Sequence, residues 1–86
     1  MNTFLLKVSS PDGDKFQEKI ANLILRGTEG DLAVLAGHIP FITSVKPCVC
    51  KIEFEDGTVR EARTDGGLLS VSEEYVTFLT GVFDFE

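Results

Sequence analysis

Residues 48–57 read CVCKIEFEDG, and this stretch decides the fold class. Apolar side chains occupy every second position in it, as on a strand with one buried face: Cys48, Cys50, Ile52 and Phe54. The dipeptide Asp56-Gly57 that follows tolerates the positive φ angles of a two-residue hairpin turn. Residues 58–64 return with weaker alternation and charges on both faces, which is typical of an edge or solvent-facing strand. The stretch therefore predicts an antiparallel hairpin.

The N-terminal third of the chain continues this pattern. Alternation over residues 4–8 predicts a first strand, and Pro11-Asp12-Gly13 carries the residues of a tight turn. Residues 16–26 keep a period of two, and we interpret them as one second strand ended by Gly27. A helix over residues 14–25 is the weaker interpretation, because no period of 3.6 is sustained there.

The rest of the chain adds further short strands separated by glycine and proline. The apolar run of residues 32–36 and residues 41–45 flank the loop Gly37-His38-Ile39-Pro40 as two short strands, and two more strands follow Gly66-Gly67. The pattern predicts an all-β fold, a flattened β-sandwich or barrel of about eight to ten short, mainly antiparallel strands. With 86 residues, 43% of them apolar, the chain is expected to form a single domain over residues 1–86.

Charge and hydropathy exclude several classes of partner. The formal net charge is −6, which has the wrong sign for tracking phosphates, so no nucleic acid is expected. The longest apolar run is residues 32–36, far shorter than the roughly 18 residues of a membrane-spanning helix, so no direct lipid insertion is expected. The chain should lie in a reducing compartment, because a disulfide between Cys48 and Cys50 would be strained on a strand.

The residues that could carry chemistry do not assemble into a known site. Cys48 and Cys50 with His38 give fewer ligands than a closed zinc site needs, and free cysteines on a strand face are more often core residues. His38 has no serine or cysteine nucleophile at a suggestive spacing. The glycines of residues 27–30 and 65–67 are turn residues and lack the lysine of a phosphate loop. We therefore predict no catalytic residue, no cofactor and no metal.

A longer ordered set of motifs resembles a known family. Residues 27–47 read GTEGDLAVLAGHIPFITSVKP, Phe16 follows the first turn, and GGLLSV and YVTFL occur at residues 66–71 and 75–79. Together they resemble the N-terminal β-sandwich of the epsilon subunit of F-type ATP synthases. Two positions depart from that pattern: Ala36 stands where the family usually has proline, and Cys48 where it usually has glycine.

The resemblance implies a role in assembly. In this family the sandwich lies in the rotor, the central stalk, where it binds the gamma subunit, contacts the c-ring and meets the catalytic alpha and beta subunits only through the assembly. It couples ion-driven rotation to ATP synthesis and catalyses no reaction itself. Carried over by position, the c-ring contacts are Asp31 and His38, with Glu29 as a weaker candidate. The gamma contacts are expected at Pro40, Phe41, Ile42 and Thr43.

The resemblance also sets expectations about regulation and location. Family members commonly continue into a helical hairpin that inhibits hydrolysis and in some cases binds ATP, whereas this sequence ends at Glu86. Without that hairpin we expect neither nucleotide binding nor hairpin-type inhibition, and the ending slightly favours a complete chain. The expected location is peripheral, at the cytoplasmic face of the bacterial inner membrane, with a plastid as the alternative.

Two other functions compete with this interpretation. One is a stand-alone β-sandwich binding module with an epsilon-like fold, which would need an exposed aromatic residue to stack on its ligand. The chain has no Trp and one Tyr, so its composition disfavours this module. The other is a small redox or metal enzyme that uses Cys48 and Cys50, and it would require reactive thiols or a bound metal.

Overall fold

The computed structural model describes residues 2–27, 30–37 and 39–86. These residues form ten β-strands and no helix, which confirms the predicted all-β class. The strands are β1 Phe4–Ser10, β2 Gly13–Ile20, β3 Asn22–Gly27, β4 Gly30–Leu35, β5 Phe41–Val45, β6 Cys48–Glu53, β7 Val59–Thr64, β8 Gly67–Val71, β9 Tyr75–Thr80 and β10 Phe83–Phe85.

The strands form one hydrogen-bonded path in the order β10-β7-β6-β3-β5-β8-β9-β1-β2, with β4 paired to β3 beside it. Every pairing is antiparallel except that of β1 with β9, which is parallel. Because β3 meets β6 through residues 22–24 and β5 only at Gly27, the path turns a corner at β3. The sheet thereby folds back on itself as a flattened, nearly closed sandwich.

Period-two alternation places one face of each strand in a common core. On β1, for example, Phe4, Leu6 and Val8 are buried, while the residues between them are half-buried. The other buried apolar side chains are Ile20, Ala21, Leu23, Leu25, Val34, Val45, Cys50, Ile52, Ala62, Leu69, Val71, Val76, Phe78 and Phe83. These residues come from all ten strands and from Ala21 between β2 and β3.

The expected single strand over residues 16–26 is wrong, because the chain breaks at Ala21 into β2 and β3. Ile20 and Ala21 are consecutive and both buried, which a regular strand with one buried face does not allow. At this point the chain leaves its pairing with β1 and joins β4 and β6, and the Ala21 N–H donates to the Glu53 carbonyl at 2.7 Å. The period of two continues across this corner, so it hides the break.

The hairpin between β6 and β7 forms as predicted, but its loop has three residues rather than two. The Gly57 N–H donates to the Phe54 carbonyl at 3.0 Å, and the Phe54 N–H donates to the Thr58 carbonyl at 2.8 Å. Gly57 has φ +88°, whereas Asp56 has a negative φ, so the turn carries a glycine bulge. The Thr58 backbone N–H donates to the Asp56 carboxylate at 2.9 Å and lowers the pKa of that carboxyl.

Strand β7 is not an edge strand, because it pairs with both β6 and β10, although its charged side chains face solvent as expected. The two ends of the path, β2 and β10, are joined by aromatic rings. Phe16 on β2 lies 6.2 Å from Phe83 and 5.4 Å from Phe85 between ring centroids. The Arg60 guanidinium covers the Phe85 ring at 4.0 Å. These rings close the sandwich where the described residues form no backbone ladder.

Candidate docking surfaces

The hairpin of β3 and β4 presents Asp31 at one end of the sandwich. The two strands pair along their whole length, from Asn22↔Leu35 to Gly27↔Gly30. Arg26 and Asp31 lie directly opposite each other, with Arg26 Nε 3.4 Å from Asp31 Oδ1. Both side chains are more than 60% exposed, so water screens the pair and it contributes little to folding. The Asp31 carboxylate can therefore exchange Arg26 for a basic group of a partner at low cost.

The other two residues predicted to contact a c-ring, Glu29 and His38, lie outside the described residues. Thr28 and Glu29 link β3 to β4 in the sequence, and Asp31 is the second residue of β4. Of the three predicted c-ring residues, the structure thus places Asp31 alone.

The residues predicted to contact gamma occupy β5 and the residue before it. Pro40 is exposed, and Ile42 is 68% exposed on the outer face of the strand. Phe41 and Thr43 are half-buried on the opposite face, where Phe41 packs against the core. The four residues therefore divide into two sets, and the outward set is Pro40 and Ile42.

A groove lies between Asp31, a predicted c-ring contact, and the predicted gamma contacts of β5. It has a volume of about 390 Å³, and its lining includes Asp31 and Leu32 of β4 and Phe41, Ile42 and Thr43 of β5. Asp31, the one predicted c-ring contact among the described residues, is consequently a neighbour of the predicted gamma contacts of β5. One partner surface, or two adjacent ones, can reach both.

Ile42 also belongs to a broader surface that we call the uncharged face, the outer side of β5, β8 and β9. Cross-strand pairing arranges its residues in two rows, one of Ile42, Ser70 and Thr77 and one of Ser44, Leu68 and Leu79. None of the three strands carries a charged side chain, in a protein with 26% charged residues. Its apolar members are well exposed, with Leu68 at 43% and Leu79 at 49%.

The uncharged face has a clear border. On the next strand, β1, Lys7 pairs with Thr77, and charged residues then dominate β2. Charged residues are depleted at the centres of protein–protein interfaces, so this face has the character of a docking surface.

Sequence reasoning missed Leu68 and Leu79. The available signal was the adjacent pairs Leu68-Leu69 and Phe78-Leu79, since two consecutive apolar residues put an apolar group on each face.

A buried polar cluster supports this face from beneath. The Thr80 hydroxyl donates to the Gly66 carbonyl at 2.6 Å and accepts from the Thr64 hydroxyl at 2.8 Å. At the exposed rim of this cluster, Asp65 Oδ1 accepts a hydrogen bond from the Val82 N–H at 3.1 Å. A Cβ at Gly67 would collide with the Leu79 carbonyl, so glycine lets β8 lie tightly against β9. These contacts fix the end of the face that carries Leu68 and Leu79.

The structure also describes most of the residues considered for a metal site or for thiol chemistry. Within residues 2–27, 30–37 and 39–86, no group of three or more His, Cys, Asp or Glu side chains is arranged to hold a metal ion. Cys48 and Cys50 are free thiols on one face of β6, with Cys48 half-buried and Cys50 buried. The described part of the chain has no helix long and apolar enough to cross a membrane.

The fold and its surfaces define a small β-sandwich domain with outward surfaces suited to protein contact. Residues 3–84 match the family described as the beta-sandwich domain of the ATP synthase delta/epsilon chain, and the protein belongs to this family. The match confirms the resemblance found in the sequence and the predicted β-sandwich.

Two solved structures have similar chains. One is a chain of the Euglena gracilis mitochondrial ATP synthase, in a structure of OSCP, F1 and the c-ring in rotational state 1. It matches with a TM-score of 0.89 and 26% sequence identity, and the match covers 96% of this chain and 53% of that chain. The other is in the Tetrahymena thermophila mitochondrial ATP synthase central stalk and c-ring, with TM-score 0.76 and 12% identity over 95% of this chain and 66% of that one. This protein thus spans between half and two thirds of those chains, and at 12% identity the second similarity concerns the fold alone.

Proposed function

We propose that the protein is a central-stalk subunit of an F-type ATP synthase, a non-catalytic docking domain that binds the gamma subunit and contacts the c-ring. The observation that carries this proposal is the family match over residues 3–84, which covers nearly the whole described sandwich. In this role the domain helps to couple ion-driven rotation to ATP synthesis in the alpha and beta subunits.

Gamma docks, in this proposal, on the outward residues of β5 and on the uncharged face that continues from them. Ile42 belongs to both the predicted gamma edge and the first row of that face, so the two form one continuous surface. Burial of Ile42, Leu68 and Leu79 supplies the apolar contribution to binding. The serine and threonine hydroxyls between them can pair with polar groups of gamma without the desolvation cost of a buried charge.

The c-ring contact is proposed at the β3–β4 hairpin. Asp31 is exposed there and Glu29 precedes it by two positions in the sequence, so the proposed contact includes two carboxylates. Carboxylates of this kind favour correct orientation against basic loops more than they raise affinity. His38 in the β4–β5 connection remains the third proposed contact.

The proposed location follows from the proposed assembly. A stalk domain held between gamma and a c-ring lies at the surface of an energy-converting membrane and is peripheral to it. The sequence-based expectation is the cytoplasmic face of the bacterial inner membrane, whereas the two similar solved structures are mitochondrial. Both locations place the sandwich on the side of the membrane where the catalytic subunits work.

The test is recovery of the complex from cells that make this protein. The tagged chain is extracted with its membranes in a mild detergent, and the proteins bound to it are identified by mass spectrometry. We expect gamma, alpha, beta and c subunits in constant proportion to the tag. An intact synthase that is present in the same membranes but lacks the tagged chain would contradict the proposal and favour a stand-alone binding module.

A further inference from the structure

The two cysteines of β6 form a thiol pair that docking does not use. Both side chains point to the same side of the strand, since Val49 between them faces outward. Burial raises the pKa of the Cys50 thiol, and the charge of Cys48 and a hydrogen bond that the Cys50 thiol donates to Cys48 raise it further. Cys48 is half-buried and lies at the start of the strand, whereas Cys50 is completely buried.

The backbone around the pair is held on one edge only. On one side β6 pairs with β7 over its whole length, from Cys48↔Thr64 to Glu53↔Val59. On the other side the pairing with β3 stops at Ile24↔Lys51, so within the described residues that edge has no ladder at residues 48–50. A groove of about 510 Å³ lies there instead, lined in part by Leu25, Pro47, Cys48 and Val49. Cys48 is half-buried, so peroxide can reach part of its side chain, and the unpaired edge leaves the strand room to bend.

We propose that Cys48 and Cys50 are a redox modification site, at which a hydroperoxide converts the two thiols into a reversible intramolecular disulfide. The Cys48 thiol loses its proton, and the thiolate attacks one oxygen of hydrogen peroxide. The O–O bond breaks, which leaves a sulfenic acid on Cys48 and a hydroxide that takes up the lost proton as water. The sulfur of Cys50 then attacks the sulfur of Cys48, and the displaced hydroxide leaves as water with the proton of the Cys50 thiol. In total, two thiols and one hydrogen peroxide give one disulfide and two waters.

Burial sets the order of the two steps. Burial, together with the charge of Cys48 and a hydrogen bond to it, raises the pKa of the Cys50 thiol to about 12, so Cys50 is a poor first nucleophile. Cys48 is half-buried, so it is the more accessible thiol and reacts first. Cys50 lies on the same side of β6 as the sulfenic acid of Cys48, so its sulfur can then attack that sulfur and resolve the intermediate.

The geometry also makes the bridge easy to reduce. Cα atoms two positions apart on a strand are separated by roughly 6.4–6.8 Å, at the upper limit of the range that a disulfide accepts. Closing the bond therefore requires residues 48–50 to bend on their unpaired edge, and a bent, strained disulfide is readily reduced by other thiols. The site thus suits a reversible modification rather than a structural cross-link.

The experiment follows both thiols in the full chain. The reduced protein is treated with hydrogen peroxide, unfolded, alkylated with N-ethylmaleimide and weighed by mass spectrometry. We expect the wild type to lose two hydrogen atoms, to take up no maleimide, and to regain both reactive thiols after dithiothreitol. With dimedone present, Cys50→Ser should give one adduct on Cys48, whereas in Cys48→Ser the Cys50 thiol should remain free to react with maleimide after unfolding.

Three results would overturn the proposal: a wild type that still binds two maleimides after peroxide, oxidation of Cys50 at an equal rate in Cys48→Ser, or disulfides between chains instead of within one. Circular dichroism checks that the serine variants fold. If either does not, the wild type treated with limiting peroxide and dimedone gives the same answer, because fragment spectra separate Cys48 from Cys50. A dimedone adduct that appears on Cys50 before Cys48 would contradict the proposed order of oxidation.

Discussion

At the scale of single residues, the uncharged face offers a substitution with a matched control. Leu68 on that face and Val49 on β6 are both apolar strand residues with 43% exposure. We expect Leu68→Lys to weaken gamma binding by about tenfold or more, because the interface would have to bury an unpaired ammonium. Val49→Lys should leave gamma binding unchanged. Isothermal titration calorimetry with purified gamma measures the affinity of both variants. Equal losses of affinity in the two variants would show that the gamma site does not include β8.

Asp31 supports a second prediction at this scale. Asp31→Lys should lower ATP-driven ion pumping by the reconstituted synthase, because it reverses the charge proposed to face the c-ring. The sandwich should stay folded, since the Arg26–Asp31 pair is exposed and contributes at most about 1 kcal/mol. Asp14→Lys is the control, because Asp14 makes a similar exposed ion pair with Lys7 at 3.9 Å. A similar loss of pumping in both variants would show a general charge effect.

At the scale of strands and turns, the Thr80 cluster ties the end of β9 to the bend before β8. Thr80→Val keeps the shape but leaves the Gly66 carbonyl and the Thr64 hydroxyl without their buried partner. The expected cost is about 1–3 kcal/mol of unfolding free energy, measured by urea denaturation. Thr77→Val on the outer side of the same strand should change stability by less than about 0.5 kcal/mol. Equal costs for both variants would mean that the cluster adds no stability.

Individual strands were predictable from the sequence where buried side chains alternate with more exposed ones. Residues 4–10 and 48–53 meet that condition, and their strands appear where alternation put them. The break at Ala21 was not predictable, because a chain that crosses between sheets keeps its apolar period while it changes partners. The hairpin loop gained a residue for a different reason: glycine alone adopts a positive φ in it, so a bulge replaces the two-residue turn.

At the scale of the whole molecule, pairing between distant strands could not be obtained from local patterns. The parallel contact of β1 with β9 joins residues about 70 positions apart, and no period or turn signal specifies it. The same holds for the candidate site. The motif around Asp31 and Ile42 was identifiable from the sequence, whereas the uncharged face depends on which strands become neighbours.

Closure of the sandwich supplies the last prediction. Phe16 is the side chain of β2 that meets both Phe83 and Phe85, so Phe16→Ala should separate the two ends of the strand path. The expected cost is about 2 kcal/mol, below that of a fully buried Phe because this ring is half-buried. Hydrogen exchange should accelerate in β10 and stay slow in β8, which pairs with β5 and β9 inside the strand path and touches neither of its ends. Tyr75→Ala, which removes an exposed ring outside the cluster, should leave both rates unchanged. Unchanged exchange at residues 83–85 in Phe16→Ala would mean that β10 is held without Phe16, by its backbone pairing with β7 and by the contacts of Phe83 with Phe78 and of Phe85 with Arg60.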